Sequence, residues 1–176
     1  VIALDVVFAE PDRTSPSRVL LTWPADDAEA LRARLSTLPD HDQVLAQALR
    51  AARVAAGFSL TSEPNDRRPM LKAGFAHRGE DPRPSLGAFQ GAVSNLDVLE
   101  AVVVGNGHFN LLPERDGIIR RVPLLLRLED RIYPALAAEA VRLLEGASTY
   151  VVTSSGASRE VDFGAHTGIV NVKIGG

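Results

Sequence analysis

The sequence predicts an α/β fold: one domain with a mixed, largely parallel sheet covered by helices. Three observations lead there. Residues 1–9, Val-Ile-Ala-Leu-Asp-Val-Val-Phe-Ala, form a nearly unbroken apolar run, the pattern of a strand covered on both faces. Two helical stretches, 26–35 and 41–53, separate it from a second apolar run at 54–61. A strand, helices and a strand in that order make a parallel, right-handed crossover. An antiparallel hairpin over 107–128 completes the expected class.

The bounds agree with one domain. The chain has 176 residues, 45% hydrophobic and 23% charged, enough for a sizeable core. A net charge of −3 and 5% aromatics leave neither a basic field nor stacking platforms, so nucleic acid is excluded as a partner. The absence of cysteine removes disulfides, thiolate catalysis and Cys-type zinc sites, and leaves the compartment open. No apolar run reaches membrane-spanning length, and the chain opens inside a strand pattern without Met or a signal peptide. It reads as a fragment truncated at both ends.

In chain order, Asp5 interrupts the first strand, and Glu10-Pro11-Asp12 follows at its carboxyl end, where α/β sheets collect ligands. The alternative is that Glu10 and Asp12 make turn and cap hydrogen bonds while Asp5 is a satisfied core acid. Residues 17–22 fit a short strand or a helical turn, ended by Trp23-Pro24. The 26–35 helix has acids first and Arg32 and Arg34 last, as the dipole favours. The 41–53 helix has Asp40 as N-cap and Val44, Leu45, Ala48, Leu49 and Ala52 on one stripe. Residues 62–69 and 77–84 are polar, proline-flanked surface loops, either plain connections or a lid, with 70–76 between them as a short strand. Residues 94–101 make a capped helix and 102–105 resume the strand pattern. Gly105-Asn106-Gly107 lacks the spacing of a phosphate loop.

The 107–128 stretch organises the rest. Pro113 and Asp116-Gly117 supply turn chemistry, and a strand leaves from Ile118. Arg120 and Arg121 are adjacent on it, so one guanidinium must face inward and needs a partner. After a tight turn at Glu129-Asp130-Arg131, Pro134 opens a third helix with Leu136, Ala140, Leu143 and Leu144 inward and Gly146 as its stop. Residues 150–153 and 169–174 are strands, and the intervening Asp162-Phe163-Gly164 is a chance match to a kinase triplet.

These residues also carry a family likeness. The block from Leu4 to Asp12, Gly107-His108-Phe109-Asn110, the Asp116-Gly-Ile-Ile-Arg-Arg-Val-Pro-Leu124 run and Tyr133-Pro-Ala-Leu-Ala137 resemble, in order and spacing, the type-2 CHASE domain. That is a sensory extracellular domain associated with cyclases and histidine kinases, and the likeness covers nearly the whole chain. The resemblance implies a location outside the cytoplasmic membrane of a bacterium, anchoring by transmembrane segments absent from this chain, and a cytoplasmic cyclase, diguanylate cyclase or kinase output. Two departures stand out. The family pattern usually begins with one more strand-helix unit, and Ala135 stands where serine is more common, which removes a helix-capping hydroxyl.

The candidate ligand-binding residues are Asp5, Glu10, Asp12, His108, Asn110, Arg120, Arg121 and Tyr133. Arg120 and Arg121 either form the cationic side of a pocket or pair with Asp5, Glu10, Asp12 or Asp116, the ion pair being favoured. Asn106 and Asn110 suit backbone capping, and Tyr133 suits packing with a satisfied hydroxyl. His108 is the best placed of four histidines, but no second histidine has metal-site spacing, so no metal and no cofactor is expected.

The favoured function is therefore a non-catalytic sensor whose pocket, between the 10–12 strand end and the arginine hairpin, takes an unidentified small molecule. A hydrolase using Asp5, Glu10 or Asp12 as base is the alternative; it lacks a serine elbow, a cysteine and a metal-type histidine pair. A ligand-free dimerisation module is the third reading, and a homodimer is compatible with the first.

Overall fold

The structure, a computed structural model, describes residues 1–22, 29–155 and 168–175. The chain runs β1 (Ile2–Leu4), α1 (Pro16–Thr22), α2 (Glu29–Leu35), α3 (His41–Arg50), β2 (Val54–Thr61), β3 (Gly74–Arg78), β4 (Ala88–Phe89) and β5 (Gly91–Val93). It continues through α4 (Asp97–Glu100), β6 (Gly105–His108), β7 (Leu125–Leu128), β8 (Arg131–Pro134), α5 (Leu136–Leu144), β9 (Thr149–Ser154) and β10 (Ile169–Gly175).

The class is the expected mixed α/β, divided over three sheets. Among the described residues four strand pairings are parallel and three antiparallel, so parallel pairing predominates narrowly. Strand β2 is the hub. Its backbone groups alternate between two edges. Along one edge lies parallel β6, from Ala55 beside Gly105 to Phe58 beside His108. The other edge is shared: parallel β1 covers Val54 to Ala56, and antiparallel β5 covers Ser59 to Thr61.

The two faces of β2 pack against different partners. Val54 and Ala56 pack with Ala46 and Leu49 of α3 and with Leu99 and Val103. Further along the same face, Phe58 and Leu60 meet Leu126, Leu128 and Tyr133, with Phe58 and Tyr133 edge to face at 5.4 Å. On the opposite face Ala55 packs with Leu136 and Leu143 of α5. A separate sheet has β9 at its centre, parallel to β3 and antiparallel to β10, with Phe75 stacked on Tyr150.

Several elements differ from expectation. The first strand is three residues long, not nine, and Ile2 is exposed. It ends early because β5 occupies the upper part of the same edge. The strand after α4 is not the valine run but Gly105–His108; Val103 instead packs into the core behind α4. Close approach of α5 explains the exchange. A Cβ on Gly107 would lie 2.5 Å from Leu136 Cα, and one on Gly105 2.9 Å from Glu139 Cγ, so only glycine lets the helix rest on the strand backbone.

The antiparallel hairpin also lies further on. β6 does not pair with β7; β7 and β8 pair across Glu129-Asp130, and residues 109–124 are an irregular arm. Within it Gly117 N donates to Glu114 O at 2.9 Å and Glu114 N to Ile118 O at 3.1 Å, closing the expected Asp-Gly turn without flanking strands. Residues 17–22 are helical. α3 has Asp40 as its N-cap, accepting from Asp42 N and Gln43 N, but Val44 is exposed and Ala46 and Leu49 are its buried residues. Likewise α5 buries Leu136, Glu139, Arg142 and Leu143 and exposes Leu144, while Pro134 belongs to β8. Expectations for Trp23-Pro24, the start of the 26–35 helix, and Asp162-Phe163-Gly164 lie outside the described residues.

Candidate functional site

The residues singled out from sequence fall into three separate places. Asp5 is exposed where β1 ends, and Glu10 makes a surface pair with Arg13 at 2.8 Å. Asp12 is a turn residue: Oδ1 accepts from Thr14 N and Thr14 Oγ1, both at 2.7 Å, and Oδ2 lies 3.2 Å from His41 Nδ1. The Thr14 hydrogen bonds, with His41 adding to them, hold the Asp12 carboxyl below its ordinary range.

Arg120 and Arg121 sit on the irregular arm. Because no sheet forms there, neither is forced inward: their side chains are 48% and 87% exposed. Arg120 pairs with Asp116 at 2.8 Å and Glu114 at 3.1 Å, and Arg121 with Glu114 at 3.3 Å. Asp116 is thus a partner as expected, whereas no carboxylate of residues 5–12 is. The pocket expected between the first strand end and this arm is not formed by these contacts.

His108, Asn110 and Tyr133 lie in the interior beside β2. Asn110 prolongs β6 with its side chain, accepting from Leu60 N at 2.8 Å and donating to Leu60 O at 2.7 Å. Asn95 does the same on the opposite edge between β1 and β5, accepting from Phe8 N and donating to Gly57 O. Asn65 holds both backbone groups of Ala92. His108 is fully buried with neither ring nitrogen bonded, and burial lowers its pKa to about 4.

Tyr133 belongs to a cluster that sequence reasoning did not assemble. Its hydroxyl donates to Pro69 O at 3.0 Å. One residue on, Met70 N donates to Glu100 Oε2 at 2.9 Å and Met70 O accepts from Asn106 Nδ2 at 3.0 Å. Side chains from β8, α4 and β6 therefore grip a strap at residues 69–70. Glu100 Oε1 and Asn106 Oδ1 are left buried without partners. Burial raises the Glu100 pKa and lowers that of Lys72 nearby.

The strap separates two clefts. One, of about 330 Å³, lies against β3 and includes Leu71, Phe75, His77, Arg83 and Arg131. The other, of about 680 Å³, opens at the carboxyl end of β2 and is lined by residues 64–66, Arg68, residues 88–90, Arg127 and Glu129. Carboxyl ends of parallel strands are where α/β sheets place ligands.

In the larger cleft Arg68 is committed to Glu129, with Nη2 to Oε1 at 2.5 Å and Nε to Oε2 at 3.2 Å. Glu129 has φ +54, and among the described residues it alone of the non-glycines lies in the left-handed region. Glu129 is the first residue of the two-residue β7–β8 turn, a position where such hairpins call for a positive φ. Arg127, partly buried, stands in register with Ala88. Its Nη1 donates to Glu129 O at 3.3 Å, Nε is buried without a partner, and no carboxylate pairs with it among the described residues.

None of these cleft residues was a candidate in the sequence, because the 62–69 segment looked like a solvated loop. Pro69 in it is fully buried. The available signal was position: this loop directly follows the long central strand. Among the described residues no three His, Cys, Asp or Glu side chains gather into a metal site.

No curated protein and no solved structure matches the chain. Among the described residues no helix is long and apolar enough to cross a membrane. A family model, the CHASE2 domain, matches residues 1–173, nearly the whole chain. CHASE2 domains are extracytoplasmic sensory domains of signalling receptors. The chain belongs to the CHASE2 domain family.

Proposed function

We propose that this chain is the signal-input domain of a membrane-bound receptor, binding a small ligand and regulating a cytoplasmic cyclase, diguanylate cyclase or kinase. The supporting observation is the cleft at the end of β2, where Arg127 lacks a carboxylate and Glu129 holds Arg68. Arg68 immediately precedes the strap gripped by Tyr133, Glu100 and Asn106. A ligand that competes for Arg68 acts on a segment tied to three elements, the kind of element whose two states a ligand can bias. Anchoring comes from segments outside this chain.

A thermal-shift screen with small metabolites tests this reading. Ligand-dependent stabilisation, followed by ligand-dependent output from the full receptor, is the expected result. Turnover of a hit by the domain would overturn the non-catalytic role, and output indifferent to every hit would overturn the input role.

A second reading, a dimerisation module, is favoured by the arm. Leu111, Ile118, Val122 and Leu124 are each at least half exposed, while Glu114 and Asp116 neutralise Arg120 and Arg121 locally. Sedimentation of the wild-type and Ile118→Asp chains tests it: a dimer that the substitution dissociates supports this role.

A further inference from the structure

Residues 66–73, which contain the strap, lie between β2 and β3 and make no backbone–backbone hydrogen bond among the described residues. Three side chains hold the strap instead: Tyr133 on the Pro69 carbonyl, Glu100 on the Met70 N–H and Asn106 on the Met70 carbonyl. Of the three, only Glu100 ionises between mildly acid and neutral pH.

Glu100 is 4% exposed, and its surroundings do not answer a negative charge. Oε2 takes the Met70 N–H while Oε1 has no partner. Lys72 and Arg67, on either side of the strap, attract the carboxylate from a distance, and Asp97 on α4 repels it. Arg67 is drawn to Asp97 at 3.8 Å, and Lys72 forms no ion pair with Glu100. Tyr133 keeps its hydroxyl on Pro69, and His108, two residues along β6 from Asn106, is neutral above about pH 4. Asn106 Oδ1 is a second buried acceptor without a partner. A proton on Glu100 Oε1 removes the buried charge and turns one of these two orphaned acceptors into a donor.

We propose that the strap is proton-operated: Glu100 holds it on the sheet when protonated and loosens its hold when ionised. In the opened strap the carboxyl is solvated and titrates at its ordinary 4.5; closed, it titrates higher. Opening is therefore increasingly favoured from the ordinary value up to the raised one, by about tenfold per pH unit, and levels off beyond it. Leu71 next to the strap lines the smaller cleft and Arg68 before it the larger, so loosening reshapes both. This holds whether or not a ligand enters either of them.

Amide exchange of the ¹⁵N-labelled 176-residue chain, with the Glu100 carboxyl followed by its ¹³C signal, tests the proposal from about pH 4 to about pH 8. The Glu100 carboxyl should titrate above 4.5, and the Met70 N–H should lose protection across that window while the β2 amides keep theirs. Glu100→Gln, which has the donor of the protonated acid and no charge, should keep Met70 protected throughout. Should that variant fail to fold, Lys72→Met carries the test: without the ammonium that favours the ionised form, the loss of protection should run on to higher pH. A Glu100 carboxyl titrating at or below 4.5, Met70 protection indifferent to pH, the same loss in Glu100→Gln, or a loss shared by the β2 amides would each overturn the proposal. So would a Lys72→Met profile that matches wild type.

Discussion

Glu139 and Arg142, one turn apart on α5, meet edge to edge in the interior: Arg142 Nη2 lies 2.6 Å from Oε1 and Nε 2.9 Å from Oε2. Tyr150 donates to the same carboxylate at 3.0 Å, and Arg142 also reaches the Ala147 and Val104 carbonyls. The network ties α5 to β9 with every charge answered. Removing one partner strands a buried charge, so Glu139→Gln or Arg142→Met should cost about 3–5 kcal/mol in urea unfolding. The double variant Glu139→Leu/Arg142→Met should lose much less than the sum. Equal additive losses would show that the two charges act independently.

His108 sets an acid limit on stability. Its native pKa of about 4 lies below the ordinary 6.5, so the unfolded chain takes up a proton first as pH falls. The stabilisation is complete above about pH 6.5 and drains away down to about pH 4, by roughly 3 kcal/mol. Glu100, whose pKa is raised by burial, contributes in the opposite sense: its term is present in acid and is lost as pH rises through the raised value. Comparing His108→Leu with wild type isolates the histidine. The difference in stability between wild type and variant should change with pH between those limits in urea unfolding and be flat above about pH 6.5, and a difference that does not vary with pH would refute the assignment.

Gly107 is the point of closest approach between sheet and helix. Its missing Cβ would lie 2.5 Å from Leu136 Cα and 2.7 Å from Leu136 N, both backbone atoms that cannot rotate away. Gly107→Ala should destabilise by about 1–3 kcal/mol, the range for overpacking. At Gly117 nothing lies within 4 Å, but φ is +79, so alanine there is penalised by backbone strain alone. Thermal unfolding of the two variants separates the causes. Shortening the Leu136 side chain should rescue neither variant, because the atoms in the way at Gly107 are backbone.

Glu129 trades backbone comfort for its hold on Arg68. Glycine at φ +54 relieves roughly 1 kcal/mol of strain, while the ion pair lost with the carboxylate is screened by solvent. Glu129→Gly should therefore be near neutral in stability, whereas Glu129→Gln, which keeps the strain and loses the pair, should be the less stable of the two. Both free Arg68. Denaturation midpoints falling in the opposite order would mean that the pair outweighs the strain.

The legible parts of the fold were those governed by local pattern. Strand β2 matched its apolar run to the residue, Asp40 capped α3, and the two last strands stood where β-branched residues alternate. What escaped was decided by tertiary contact. Gly105 and Gly107 form a strand because α5 presses on them, against the strand preference of Val102 to Val104. Arg120 and Arg121 needed no deep partner because the arm forms no sheet. The Glu139–Arg142 pair hid on a helix face that looked purely aliphatic, and the cleft arginines were invisible because Arg68 and Arg127 are 59 residues apart in the chain and are brought together only by the β7–β8 turn.

The asparagines that bond the backbone of β2 and β5 have a consequence for solubility. A short strand ends by leaving amide and carbonyl groups that invite a foreign strand to continue the ladder. Asn110 answers both groups of Leu60, Asn65 both of Ala92, and Asn95 the carbonyl of Gly57. Side-chain amides thus hem the sheet where backbone runs out, and each amide withdrawn, as in Asn110→Leu, reopens a template for intermolecular β-pairing at the centre of the domain.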